Sequence, residues 1–372
     1  MDFEFIQMLL TCVVIISDDG AALRLIRNTK VLSYLLLPVQ KLDEIDPSHT
    51  RSLYQWSPAQ KEELQLLSLS LLTTIAPRLT ELFIDLNGPH KLMAFLFWSF
   101  QTDFSGHGNS ILAIGGRGSA RAQCRITLRC IRSLCSADSD PFSPHENLRE
   151  SRNAIITAFL EEGVIDLLLL TLTNVNNLTD GEANDYLYIE DDHIDLEMQE
   201  DMLVIISLIA ENNQTQKELM AKTKLTNILI HYLRDLPGKV VSGLRCEQLL
   251  LGVLDCLFNA VFGLDIAEEN FLQLEGAFLL IDLLEKVPYQ MHQVVLSCLV
   301  ELSENPRSMQ HLLTWRSSNV RAGQSPITLP QLLIQLWKDE EKRMGCFRAK
   351  GGELTQAEYP LAGWRQIQGT DD

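Results

Sequence analysis

The 372-residue chain carries 49 Asp and Glu against 31 Lys and Arg, a formal charge of −18, and is 46% hydrophobic but only 7% aromatic. Such a polyanion is repelled by nucleic acid and by acidic membrane surfaces, which excludes general binding to either, and aliphatic side chains must supply the interior. Length alone does not choose between two or three ordinary domains and one repeat array, because an array grows by stacking.

In chain order, the apolar run Phe3 to Ile16 comes first. Asp2 and Glu4 stand where a secretory leader would be basic, so the run reads as a repeat helix. It opens without a polar cap, an indication that further repeats precede it in longer relatives. No run of about 18 uncharged apolar residues follows, so no transmembrane span is expected. Next, Leu64, Leu67, Leu71, Leu72 and Ile75 recur at the spacing of one helical stripe. Ser57-Pro-Ala-Gln60 supplies the N-cap and capping box of that helix, and Pro77 marks its end.

One unit then repeats: an apolar helix, a polar turn, a short helix, and a small or turn residue opening another Leu-rich helix. Met202 to Leu233 (MLVIISLIAENNQTQKELMAKTKLTNILIHYL) is the clearest copy. Its last helix returns as IRNTKVLSYLLLPV from Ile26, LNGPHKLMAFLFW from Leu86, LEEGVIDLLLLTL from Leu160 and LEGAFLLIDLL from Leu274, with Thr29, Gly88, Gly163, Thr223 and Gly276 at the equivalent turn. Strand alternation is nearly absent. The fold class is therefore all-α, an armadillo/HEAT-like helical-repeat superhelix, or α-solenoid, with a groove suited to proteins. Its expected extent is 1–345, with loops at 101–119, 136–150 and 176–197 and a disordered tail at 346–372.

The segment Trp56 to Leu134, with WSPAQKEELQL, MAFLFW and HGNSILAIGGRGSARAQCRITLRCIRSL, resembles the armadillo-repeat region of the cilia- and flagella-associated protein 69 family. QEDMLVIISLIAEN, ENFLQLEGAFLLIDLL and LLIQLWKDEEKRMG extend the resemblance over most of the chain from Trp56 onward. It implies a non-catalytic structural component of the axoneme of cilia and flagella, in the cytoplasm and associated with the central apparatus. The partners it implies are other central-apparatus proteins. A soluble adaptor of the same fold that carries flagellar proteins is the alternative.

The residues that could meet partners are those of the Gly-rich stretch and the helix after it. His107, Asn109, Gly115, Gly116, Arg117 and Gly118 lack the spacing of a phosphate-binding loop or a dinucleotide fingerprint. Arg121, Arg125, Arg129 and Arg132 follow at offsets that fall on one side of a helix. With Arg117 they form a basic strip suited to bidentate carboxylate contacts. Two acidic partners fit it. One is external, such as a tubulin tail or another acidic protein surface. The other is the chain's own Asp180 to Asp201, which carries ten Asp or Glu and no Lys or Arg.

No cofactor, metal or small-molecule substrate is expected. Cys124, Cys130 and Cys135 have separations unsuited to zinc, and the eight cysteines read as buried free thiols. The acidic stretch departs from the calcium-loop pattern at its sixth and twelfth positions. No nucleophile elbow or kinase signature occurs. Trp98, Trp315 and Trp337 interrupt or end amphipathic helices and are expected to be core residues or wedges between repeats.

Overall fold

The computed structural model describes residues 3–17, 19–39, 56–104, 116–136, 145–175, 193–211, 213–239, 244–317, 326–346, 348–349 and 351–354. Among them are eighteen α-helices and a single isolated antiparallel bridge. The chain divides into two compact units, Met1–Phe271 and Leu272–Asp372.

In sequence, the helices fall into six groups of three. They are α1 (Phe3–Ile16), α2 (Gly20–Arg27) and α3 (Val31–Leu36); α4 (Pro58–Ile75), α5 (Thr80–Asp85) and α6 (Gly88–Phe104); α7 (Gly116–Cys135), α8 (His145–Glu161) and α9 (Val164–Val175); α10 (His193–Ala210), α11 (Gln214–Met220) and α12 (Leu225–Lys239); α13 (Leu244–Ala260), α14 (Asp265–Gln273) and α15 (Gly276–Lys286); and α16 (Tyr289–Ser303), α17 (Ser308–Thr314) and α18 (Leu329–Arg343). The third helices include the Leu-rich copies recognised in the sequence. The last group completes the series.

Local chemistry sets the helix ends. The Ser57 hydroxyl accepts from the Gln60 N–H at 3.3 Å and the Ser57 N–H donates to Gln60 Oε1 at 3.0 Å, which satisfies two free donors at the start of α4. Pro77 cannot donate, so α4 gives way to a 3-10 turn at Ala76–Leu79. Before the third helices the chain turns through the left-handed region at Asn87 (φ 57°), Gly163 (φ 74°) and Glu275 (φ 63°). Gly163 is therefore the structural counterpart of Asn87 and Glu275. Gly88 and Gly276 lie one residue later, as the first residues of α6 and α15, so the alignment by glycine slips by one at those turns. Gly88 is small for a different reason: a Cβ there would lie 2.4 Å from the Phe83 ring. Where threonine replaces glycine, its hydroxyl closes the turn, Thr29 onto Ile26 O at 2.8 Å and Thr223 onto Met220 O at 2.6 Å.

The first unit is built on a row of first helices: α1 packs on α4, α4 on α7, α7 on α10 and α10 on α13. Partner positions rise together along each pair. Phe3 meets Trp56, Gln7 meets Glu63, Gln65 meets Gln123, and the Ser133 hydroxyl donates to Thr73 O. The row is therefore parallel. Helices α6, α9 and α12 pack against it, with Leu92, Leu96, Leu168, Leu172, Ile228 and Leu229 fully buried. The stretch Ala59–Asp85 is long and apolar enough to cross a membrane by length and composition, yet α4 within it lies between α1 and α7 in the row, as a core helix does.

In the second unit α15 packs on α16 and α17, and Leu280, Leu284 and Leu302 are fully buried. Trp315 is buried there and donates from Nε1 to Asp282 at 2.8 Å.

Several expectations are corrected. The loops are shorter than 101–119, 136–150 and 176–197, because α6 runs to Phe104 and α7, α8 and α10 begin at Gly116, His145 and His193. Acidic residues favour the positive N-terminal end of α10, which is why helix extends into the acidic stretch. The tail does not lose order at 346. Arg348 pairs with Glu341, and Ala349 and Glu353 are bonded N–H to C=O at 2.8 Å. Residues 355–372 lie outside the described residues. Trp337 is no wedge. It is exposed, on a side of α18 away from buried Leu332, and donates to Glu341 at 2.7 Å. Six cysteines are buried, Cys346 is partly exposed and Cys12 is exposed.

Candidate protein-interaction surface

Helix α7 carries its arginines at 121, 125, 129 and 132, and α10 carries Asp195, Glu197, Glu200 and Asp201. Because α7 and α10 run parallel, the two series meet in order. Arg121 reaches Asp195 at 3.4 Å, Arg125 reaches Glu197 at 3.4 Å, and Arg129 pairs with the same Glu197. Arg132 spans Glu200 at 3.0 Å and Asp201 at 2.6 Å. Eleven residues of α7 cover about 16 Å, whereas the six-residue interval on α10 covers about 9 Å. The long guanidinium side chains converge on the shorter carboxylate series, and two of them share one carboxylate.

Burial gives the seam its energetic weight. The Asp195 and Asp201 side chains are fully buried, and Arg129 is the most open of the arginines at 52% exposure. Burial pushes the Asp201 carboxyl above its ordinary range, while the hydrogen bond and charge of Arg132 pull the other way. At Arg132 burial works against the charge, but the Asp201 and Glu200 carboxylates outweigh it and hold the guanidinium above its ordinary value. Each charge is thus tolerated in the interior because its partner is present.

The chain's own acidic stretch is therefore what neutralises the strip at Arg121, Arg125, Arg129 and Arg132. His107, Asn109 and Gly115 lie outside the described residues. Gly116, Arg117 and Gly118 fall in the first turn of α7, not in a loop.

The flanking seams use side-chain hydrogen bonds that charge patterning could not reveal. Between α4 and α7, Gln123 donates to Gln65 at 2.9 Å. Between α10 and α13, the buried Ser207 hydroxyl donates to Asp255 Oδ2 at 2.6 Å and accepts from Asn259 at 2.9 Å. The signal for these lay in isolated polar residues, Gln123 and Ser207, within otherwise apolar helical faces. Arg152 of α8 ties the seam's far end, donating to Cys135 O at 3.0 Å and to Glu211 at 2.5 Å.

Three of the buried thiols are held in the protonated form. Burial pushes Cys130 and Cys135 up to about 12, despite the opposing Thr73 hydrogen bond and Arg152 charge, and raises Cys256 as well. Among the described residues no group of three or more His, Cys, Asp or Glu is placed to hold a metal ion.

Residues 1–371 match the family model described as cilia- and flagella-associated protein 69, ARM repeat. The relatives named cilia- and flagella-associated protein 69 from Papio anubis and Homo sapiens are 31% identical over 361 residues, which is 97% of this chain and 35% of the relative. That of Mus musculus is 31% identical over 362 residues, with the same coverage. The chain thus spans about a third of the length of the curated relatives it matches.

Proposed function

The chain belongs to the cilia- and flagella-associated protein 69 family as an all-α armadillo-type helical repeat, and from that membership we infer a non-enzymatic scaffold of the axoneme of cilia and flagella. The carrying observation is the family match over residues 1–371. On this reading the chain works in the cytoplasmic axoneme, at the central apparatus, and supports assembly and motility, sperm motility included. It holds other central-apparatus proteins through a groove of the helical repeat and the Gly/Arg segment that leads into α7.

The charge seam narrows how an acidic partner, tubulin included, would bind. Such a partner competes with Asp195, Glu197, Glu200 and Asp201 for the same guanidinium groups. Contact therefore falls on the half-exposed Arg129 and on residues outside the seam.

The test is the location of a tagged copy in a ciliated cell before and after detergent removes membrane and matrix. Retention along the axoneme is expected. Complete release into the soluble fraction overturns the scaffold reading and favours the adaptor that carries flagellar proteins.

A further inference from the structure

Helix α13 packs one side against α10 and α12, where Leu250, Val253, Leu257 and Ala260 are buried. On the opposite side Gln248, Leu251, Asp255 and Phe258 are exposed, three, four and three residues apart, which is the spacing of one helical stripe. Leu251 is 38% and Phe258 41% exposed. About 10 Å of helix separates them, with the Asp255 carboxylate between.

The opening is not the end of a stack. Helices α4 and α7 have first-helix neighbours on both flanks, and the side of each that lies opposite its buried stripe is still open to water, at Ser70 and Thr74 and at Arg129. Stacking covers the flanks of the row and leaves this side open at these positions. Its chemistry changes along the row, from polar at α4 to cationic at α7 and to an anion framed by apolar side chains at α13.

Asp255 differs from the carboxylates of neighbouring α10. There Glu200 and Glu211 each have a cation, Arg132 at 3.0 Å and Arg152 at 2.5 Å. Among the described residues Asp255 has neutral partners: the Ser207 hydroxyl donates to Oδ2 at 2.6 Å and Asn259 Nδ2 donates to Oδ1 at 3.3 Å. These bonds hold the carboxylate in one orientation, and each oxygen keeps acceptor capacity for a further donor. A cation that meets it has little more to order.

We propose that this stripe of α13 docks a basic amphipathic helix of a partner protein, with one arginine on Asp255 and an apolar residue over each of Leu251 and Phe258. The inference rests on the scaffold reading and names the chemistry of one partner. A guanidinium can bond both carboxylate oxygens at once. The chain's charge of −18 draws a cationic segment toward it. A helix fits because its own side chains recur at three and four residues, the spacing found on α13.

The test combines the full chain with a fluorescent, lactam-stapled helical peptide that carries leucine, arginine and leucine at that spacing on an alanine and glutamine background. Saturable binding by fluorescence anisotropy is expected, weakened about tenfold by Asp255→Asn and weakened also by added salt. Leu251→Ser with Phe258→Ser is expected to abolish it. Those side chains face water, so an unchanged circular dichroism spectrum verifies that the variant is folded. A peptide with glutamate in place of arginine is expected to ignore the native chain and to bind Asp255→Arg, a reversal that a merely structural role of Asp255 would not produce. Absence of saturable binding overturns the proposal, as does binding indifferent to Asp255→Asn or equal for the glutamate peptide. Detergent extraction separates the two readings: a chain retained on the axoneme that ignores the arginine peptide defeats the stripe alone, whereas a chain released by detergent defeats the scaffold.

Discussion

Two sets of ion pairs in this molecule have similar lengths and very different meaning. Between α7 and α10, Arg132 meets Asp201 at 2.6 Å with the carboxylate fully buried. At the end of α18, Arg343 meets Glu340 at 2.5 Å and Lys342 meets Asp339 at 3.2 Å, with all four side chains open to water. Distance does not distinguish the sets. Solvent does, because a buried charge deprived of its partner has no water to replace it, whereas an exposed one rehydrates.

The strongest way to break the comparison is Arg132→Met, which leaves Asp201 buried without its closest cation. A loss of about 3–5 kcal/mol in unfolding free energy is expected by denaturant titration. Arg132→Met combined with Asp201→Leu is expected to recover most of it, since the isolated charge is then gone. A double variant as damaged as the single one places the cost in packing instead.

The hydrogen-bonded seam next door sharpens the scale. Ser207→Ala removes the bonds to Asp255 and Asn259 and is expected to cost about 1 kcal/mol, because both partners are reachable by water. A loss equal to that of Arg132→Met argues that seam position, not charge, sets stability.

Acid separates the two regions by sign. The hydrogen bonds of Arg348 and Trp337 hold Glu341 down to about 2, and Arg343 holds Glu340 below its ordinary value. A carboxyl depressed in the fold contributes stability that is present above its unfolded value near 4.5 and lost as the pH falls toward 2. Asp201 is raised, so the folded state takes up its proton first, and this group's contribution grows as acid is added through the window above 3.8. Fluorescence of Trp337 is expected to report loosening at the end of α18 between pH 4.5 and about 2, and Glu341→Gln to remove that step. A step unchanged in the variant assigns it to another carboxyl.

The smallest effect belongs to Lys342→Ala, a pair three residues apart with the lysine 77% exposed. Less than about 0.5 kcal/mol is expected by thermal unfolding. A larger loss points to a packing role for the lysine stem.

Much of the fold was legible from the chain itself. Leu64 to Ile75 had helical spacing and Ser57 with Gln60 formed the capping box the sequence predicts. The Leu-rich third helices stood out because burial demands a continuous apolar stripe. The long helix containing Ser207 announced itself for the same reason. The turn register was less legible, since a glycine can mark either a left-handed turn, as at Gly163, or a close contact, as at Gly88. One letter serves two physical needs.

The candidate site divides in the same way. Sequence by itself determined that α7 has an arginine side and that Asp180 to Asp201 is acidic, because periodicity and composition are local properties. Only the tertiary structure decided that the arginines are neutralised from within. That outcome requires α10 to lie parallel to α7, one group along, a juxtaposition made by stacking and not by any local signal. Stacking also decided which side chains face water, leaving Trp337 exposed although its residue type alone favours burial.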